Sequence, residues 1–270
     1  MERTPVHQRS VKDLPARDTW SALEKDLWKE CKLGRAAVLV GKSDLPEDCD
    51  DDDRKVRAEF IRYLMWGGSD EDGGFRPHPK GVHIEGGWIE GKLDLEACTS
   101  SLDLSLHNCR FEHPVTLRDA RIGALYLTGS HLLGEVDLHR LTTARDVHLR
   151  GGFRADGPVD LGGARIGGAL SCVDGKFLAK SGPALNCNAA EIGADVFLRG
   201  GFEAEGRVDF VRAQIAGNLR IEPLDGTAPW IEVGIDLEGA RIGGGIVLEI
   251  RQRGAGRGGP DRGASRVIAR

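Results

Sequence analysis

Over the middle of the chain, apolar and polar positions return on a period that suits neither a helix nor a simple strand. In Val159-Asp160-Leu161-Gly162-Gly163 and the following Ala164-Arg165-Ile166-Gly167-Gly168, a small or β-branched residue, a polar residue and a large aliphatic recur every five positions. An amphipathic helix would repeat every 3.6 residues and a half-buried strand every second one. A period of five predicts short straight segments joined by corners. Leu161 and Ile166 are expected to point inward with Val159 and Ala164 beside them, Asp160 and Arg165 to face water, and the glycines to form corners closed to other residues.

The unit is repeated. It returns as VTLRDARIGAL from Val115, VDFVRAQIAGNL from Val208, IDLEGARIGGGI from Ile235 and, more loosely, VHIEGGWIEGKL from Val82. A larger unit starting at Asp146 aligns without a gap to one starting at Asp195, 49 residues later. These xDLxx and ARIGG blocks resemble the pentapeptide-repeat superfamily, in particular a divergent bacterial branch with repeated GARIGG phrases. The resemblance covers about residues 81–250 and implies a right-handed, four-sided parallel β-helix with about four pentads per coil. Interruptions, such as Leu170 only four residues after Ile166, predict irregular coils or bulges. With about twenty residues per coil and about 4.8 Å between strands, the region predicts about eight coils in a rod of about 40 Å.

The first eighty residues have a different, helical pattern. Ser21-x-x-Glu24 reads as a capping box, and Trp20, Leu23, Leu27, Trp28 and Cys31 share a face that ends at Gly34. A second helix is predicted from Arg54 to Trp66, and FRPHPKG, residues 75–81, as a connector. The expected organisation is a helical cap at 1–80, a β-helix at 81–250 and a flexible Arg/Gly-rich tail at 251–270.

Glycine, at 38 of 270 residues, is about twice its usual share, and aromatics are only 6%, which fits frequent turns and a core of small aliphatics. No run approaches a membrane span and the N-terminus has no signal-like segment, so a cytoplasmic protein is expected. The six cysteines, Cys31, Cys49, Cys98, Cys109, Cys172 and Cys187, contain no CxxC pair and are expected to be buried thiols. Net charge is −5, divided between a mildly acidic body and a basic tail of six Arg against one Asp. That tail could meet nucleic acid by charge alone, but it lacks aromatics to stack on bases. The acidic run at 48–53 lacks the calcium-loop pattern and is expected to precede a helix as solvated carboxylates.

GGARIGG is not a dinucleotide loop, because a strand-like stretch follows it instead of a helix, and because it recurs. No GxSxG, HExxH or P-loop is present. Of the solenoid histidines, His83, His107, His113, His131, His139 and His148, the pair His139 and His148 could approach each other on adjoining faces, and no spacing gives a fixed ligand triad. Asp94, Asp103, Asp137, Asp160, Asp209 and Asp236 mostly fall on the outward slot as a solvated ladder. No catalytic, cofactor or metal-binding residue is therefore expected. The sequence reads as a non-enzymatic binding or scaffold protein offering rigid faces to a protein partner. The alternatives are a DNA mimic acting on a topoisomerase, which the resemblance suggests, and a β-helical carbohydrate-active enzyme. An uncapped C-terminal end predicts end-to-end dimerisation.

Overall fold

The computed structural model describes residues 15–39, 44–47, 52–67, 77–179, 181–252 and 262–269. Cys49 and most of the acidic run lie outside these residues. From Val82 onward the chain winds as a parallel β-solenoid of about seven turns. Each turn visits four sheets in sequence, called I to IV below. The first turn lays down β3 (Val82–Glu85) in sheet I, β4 (Trp88–Glu90) in sheet II and β5 (Leu93–Asp94) in sheet III, with Thr99 bridging to the first strand of sheet IV at Arg121. The next turn returns to sheet I as β6 (Leu104–His107), in parallel register with β3.

There are fewer turns than the eight expected, because the coils are longer than twenty residues. The register offset in sheet I is 21 residues between Leu104 and Leu125 and grows to 27 between Leu219 and Ile246. The added length goes into irregular segments, including a tight turn closed by Leu224 and Thr227. The expected bulge occurs in sheet III, where pairing shifts between Pro183 and Leu185.

The five-residue pattern resolves as predicted. Val159, Leu161, Ala164 and Ile166 are buried, Asp160 is half-buried and Arg165 is exposed. The corner after sheet III is a β-turn in which the Ala164 N–H donates to the Leu161 carbonyl, with Gly163 at φ +65°. Glycine is not obligatory there: Ala97, Asp119, Arg140, Ala189 and Arg212 take the same left-handed conformation in other coils. The closing GG of GARIGG has another cause. A methyl group at Gly167 would overlap the Ala144 carbonyl, and one at Gly168 would overlap the Asp146 carboxylate of the coil before. That carboxylate accepts the Ala169 N–H at 2.8 Å, as Asp195 accepts the Asn218 N–H at 2.7 Å, so Asp146 and Asp195, which open the two 49-residue units, join successive coils.

The N-terminal cap joins the solenoid through both helices and strands. Helix α1 (Ala22–Leu33) begins in the predicted capping box and ends at Gly34, which is left-handed. Helix α2 covers Ala58–Met65, not Arg54–Trp66. The difference comes from β2 (Lys55–Arg57), which stays extended to pair with β4 at the open edge of sheet II, just as β1 (Ala37–Val38) pairs with β3 in sheet I. Trp20 packs edge-on against Phe60 and Tyr63 at ring distances of 5.1 Å. One continuous hydrophobic core then runs from Trp20 to Ile231.

At the other end the cover is thinner. Ile235, Leu237, Ile242, Ile246, Leu248 and Ile250 are only partly buried. Sheets II to IV finish at Trp230–Ile231, Gly234–Asp236 and Arg241–Ile242, while in sheet I Ile246–Gln252 pairs antiparallel with Arg262–Ala269. Part of the stretch read as a flexible tail is therefore a strand. No helix among the described residues is long and apolar enough to cross a membrane.

Candidate functional site

The outward faces of the four sheets differ in chemistry. On sheet III the outward column is Asp94, Thr116, Asp137, Asp160, Asn186, Asp209 and Asp236. In every coil this side chain accepts the backbone N–H two residues ahead, at 2.8 Å for Asp160 to Gly162 and 3.4 Å for Thr116 to Arg118. It is an Asx- or ST-turn that closes the corner. Arginines neutralise the same face: Arg118 reaches Asp137 at 2.8 Å and Arg207 reaches Asp209 at 2.9 Å. The ladder of carboxylates expected to be merely solvated is thus a row of corner fasteners. Asp103, off this column, pairs with Arg145.

Sheet IV has the opposite character. Its outward column runs Arg121, Thr142, Arg165, Glu191, Gln214 and Arg241. Beside it, Gly167, Gly193, Ala216 and Gly243 are exposed and leave a floor of nearly bare backbone. The result is an open groove of about 520 Å³ crossing successive coils. Arg165 and Glu191 approach to 3.5 Å, and the exposed Arg121, Arg140, Arg165, Arg212 and Arg241 make the groove and its corner basic on a chain that is acidic overall. Arg140 is matched by a two-pronged bond to Asp119, both distances 2.6 Å, which holds the Asp119 carboxyl below its usual range.

The histidines do not group as expected. His139 sits at the sheet III corner, 3.5 Å from Asp160, whereas His148 lies on sheet I against the Tyr126 ring. His131 on sheet II is held between Asp156 at 2.9 Å and Arg154 at 3.1 Å, and His113 is exposed. The pair that does meet is His83 and His107, with ring centroids 4.7 Å apart and Glu85 beside them. The signal was present in the sequence only as a spacing: Glu85 and His107 are one coil apart, which is visible once the coil length is known.

The five described cysteines are free and buried, as expected. Burial pushes Cys31 and Cys109 up to about 12 and Cys98 to about 11, and raises Cys172 and Cys187 too, so these thiols serve as small apolar core groups. Compared with protein-family models, curated proteins and solved structures, the chain matches none of them.

Proposed function

We propose that this protein is a non-enzymatic binding or scaffold protein, a solenoid of the pentapeptide-repeat kind, whose sheet IV groove receives an extended acidic segment of a protein partner. The observation that carries this reading is the groove itself: a bare-backbone floor lined by Arg165, Glu191, Gln214 and Arg241. A side-chain-free floor lets another backbone come close, while arginines offer paired donors to carboxylates. Stacked coils hold these groups at fixed intervals, so little order has to be gained on binding. A DNA mimic on sheet III has less support, because those carboxylates are already engaged by corner N–H groups and arginines.

The test is fluorescence anisotropy with a labelled peptide rich in Glu, together with affinity capture of partners from a lysate. Charge reversal at Arg165→Glu with Arg241→Glu should abolish both peptide binding and the captured partner, and added salt should weaken binding to the wild type. The same reversal at Arg154→Glu with Lys176→Glu, on sheet II, should change neither. Equal loss from both variants, or from neither, would remove the assignment to sheet IV.

A further inference from the structure

We propose that His83, Glu85 and His107 form a site for a divalent transition-metal ion, Zn²⁺ by the chemistry of the donors, on the outward face of β3 and β6 in sheet I. Alternation along β3 sends His83 and Glu85 outward together, while Val82 and Ile84 enter the core. The parallel register sets Glu85 directly against His107 on β6. One ligand atom from each of the three residues lies within 4.8 Å of the other two, and His83 Nε2 is 3.1 Å from Glu85 Oε1. Metal–ligand distances of about 2.0–2.2 Å in a tetrahedron require donor atoms about 3.4 Å apart, so small side-chain rotations close the set.

A second observation points to a ligand. His107 Nε2 is buried with no hydrogen-bond partner, and His83 Nε2, also buried, has only the Glu85 carboxylate at 3.1 Å, outside hydrogen-bond geometry. A buried polar atom without a partner is costly, and a metal ion is the partner that two neighbouring imidazole lone pairs and a carboxylate share. Glu85 supplies the negative charge that offsets part of the ion's, while Arg150 opposes it. Two imidazoles and one carboxylate suit Zn²⁺ over Mg²⁺ or Ca²⁺, and three protein ligands leave one tetrahedral vertex for water or a donor from a partner. One of the two ligand strands, β3, is also a strand on which the cap docks, since β1 pairs with it, Val38 opposite Glu85. An ion here would tie the first two turns of the solenoid together beside the cap.

The experiment uses the full-length, untagged, metal-stripped chain, titrated with Zn²⁺ by calorimetry and with Co²⁺ by visible absorption. The expected result is a single equivalent of Zn²⁺ per chain, cobalt bands of a low-coordinate site, and a Tm that rises with added Zn²⁺. His83→Gln and His107→Gln should each weaken binding by at least tenfold. His113→Gln and His139→Gln should leave it intact, and Arg150→Gln should leave it intact or tighten it. Imidazole NMR signals of the wild type, followed through the titration, give a readout that depends on no variant. Absence of binding at millimolar Zn²⁺, or binding that survives both histidine substitutions without shifting the His83 and His107 signals, would overturn the proposal.

Discussion

At Asp160, one carboxylate oxygen accepts the Gly162 N–H and the Asn186 side-chain amide, both at 2.8 Å. Removing it leaves a corner N–H without its partner. Asp160→Ala should therefore cost about 1 kcal/mol and lower Tm by about 2–4 °C in a domain of this size. Asp160→Asn should be nearly silent, because Asn186 already does the same work one coil further on. Thermal denaturation of the two variants separates a structural carboxylate from one kept for its charge. A second residue-scale expectation concerns pH. Burial lowers the pKa of both His107 and His148; Glu85 and Asp146 oppose this, while His83, Arg150 and, for His107, His148 itself reinforce it. The unfolded chain then binds these protons more readily than the native one. The stability due to the neutral rings is complete above the ordinary value of 6.5 and declines as pH falls through the lower native values. In metal-free protein, the double variant His107→Gln, His148→Gln should lose less Tm between about pH 8 and about pH 5.5 than the wild type loses.

At the scale of elements, the cap is tied down by Glu24. Its side chain completes the capping box with the Ser21 N–H at 3.0 Å and also grips Arg57, at 2.7 Å to Nε and 2.6 Å to the terminal nitrogen. One carboxylate thus joins the start of α1 to the end of β2 and the entry of α2. Glu24 is almost fully buried while Arg57 is one-third exposed, so the loss is smaller than for a fully buried pair. Glu24→Ala should cost about 2–3 kcal/mol. Because coils contact mainly their neighbours, that loss should appear as early unfolding of the N-terminal end, seen as faster amide exchange in α1 and α2 with the central coils still protected. Uniform acceleration across all coils would instead mean that the solenoid unfolds as one unit.

On the scale of the whole molecule, the two ends are unequal. The first turn carries two helices and two added strands, whereas on the last turn Ile235, Leu237 and Ile242 are only partly buried, although their counterparts Val159, Leu161 and Ile166 are enclosed. Among the described residues the last strands of sheets II to IV have no further strand beside them, and such edges with apolar side chains favour stacking of a second copy. We expect this chain to show a concentration-dependent dimer in sedimentation velocity, weakened by Leu237→Lys. A single monomeric boundary over a wide concentration range would exclude it.

The local pattern was enough to specify the repeat, the inward and outward slots of each pentad, the capping box at Ser21 and the burial of the five described cysteines. Each depends on residues close in sequence, and a repeated environment writes the same preference many times. Whatever depends on coil length was decided only in three dimensions. That includes the number of turns, the separation of His139 from His148, the meeting of His83 with His107, and the extended Lys55–Arg57, which an open sheet edge withdrew from the expected helix. The role of the outward Asp column belongs here too, since its slot reads as solvent-facing in sequence while its hydrogen bonds follow from the corner geometry. Irregular insertions move the register by a few residues per coil, and in a solenoid that register determines which side chains become neighbours.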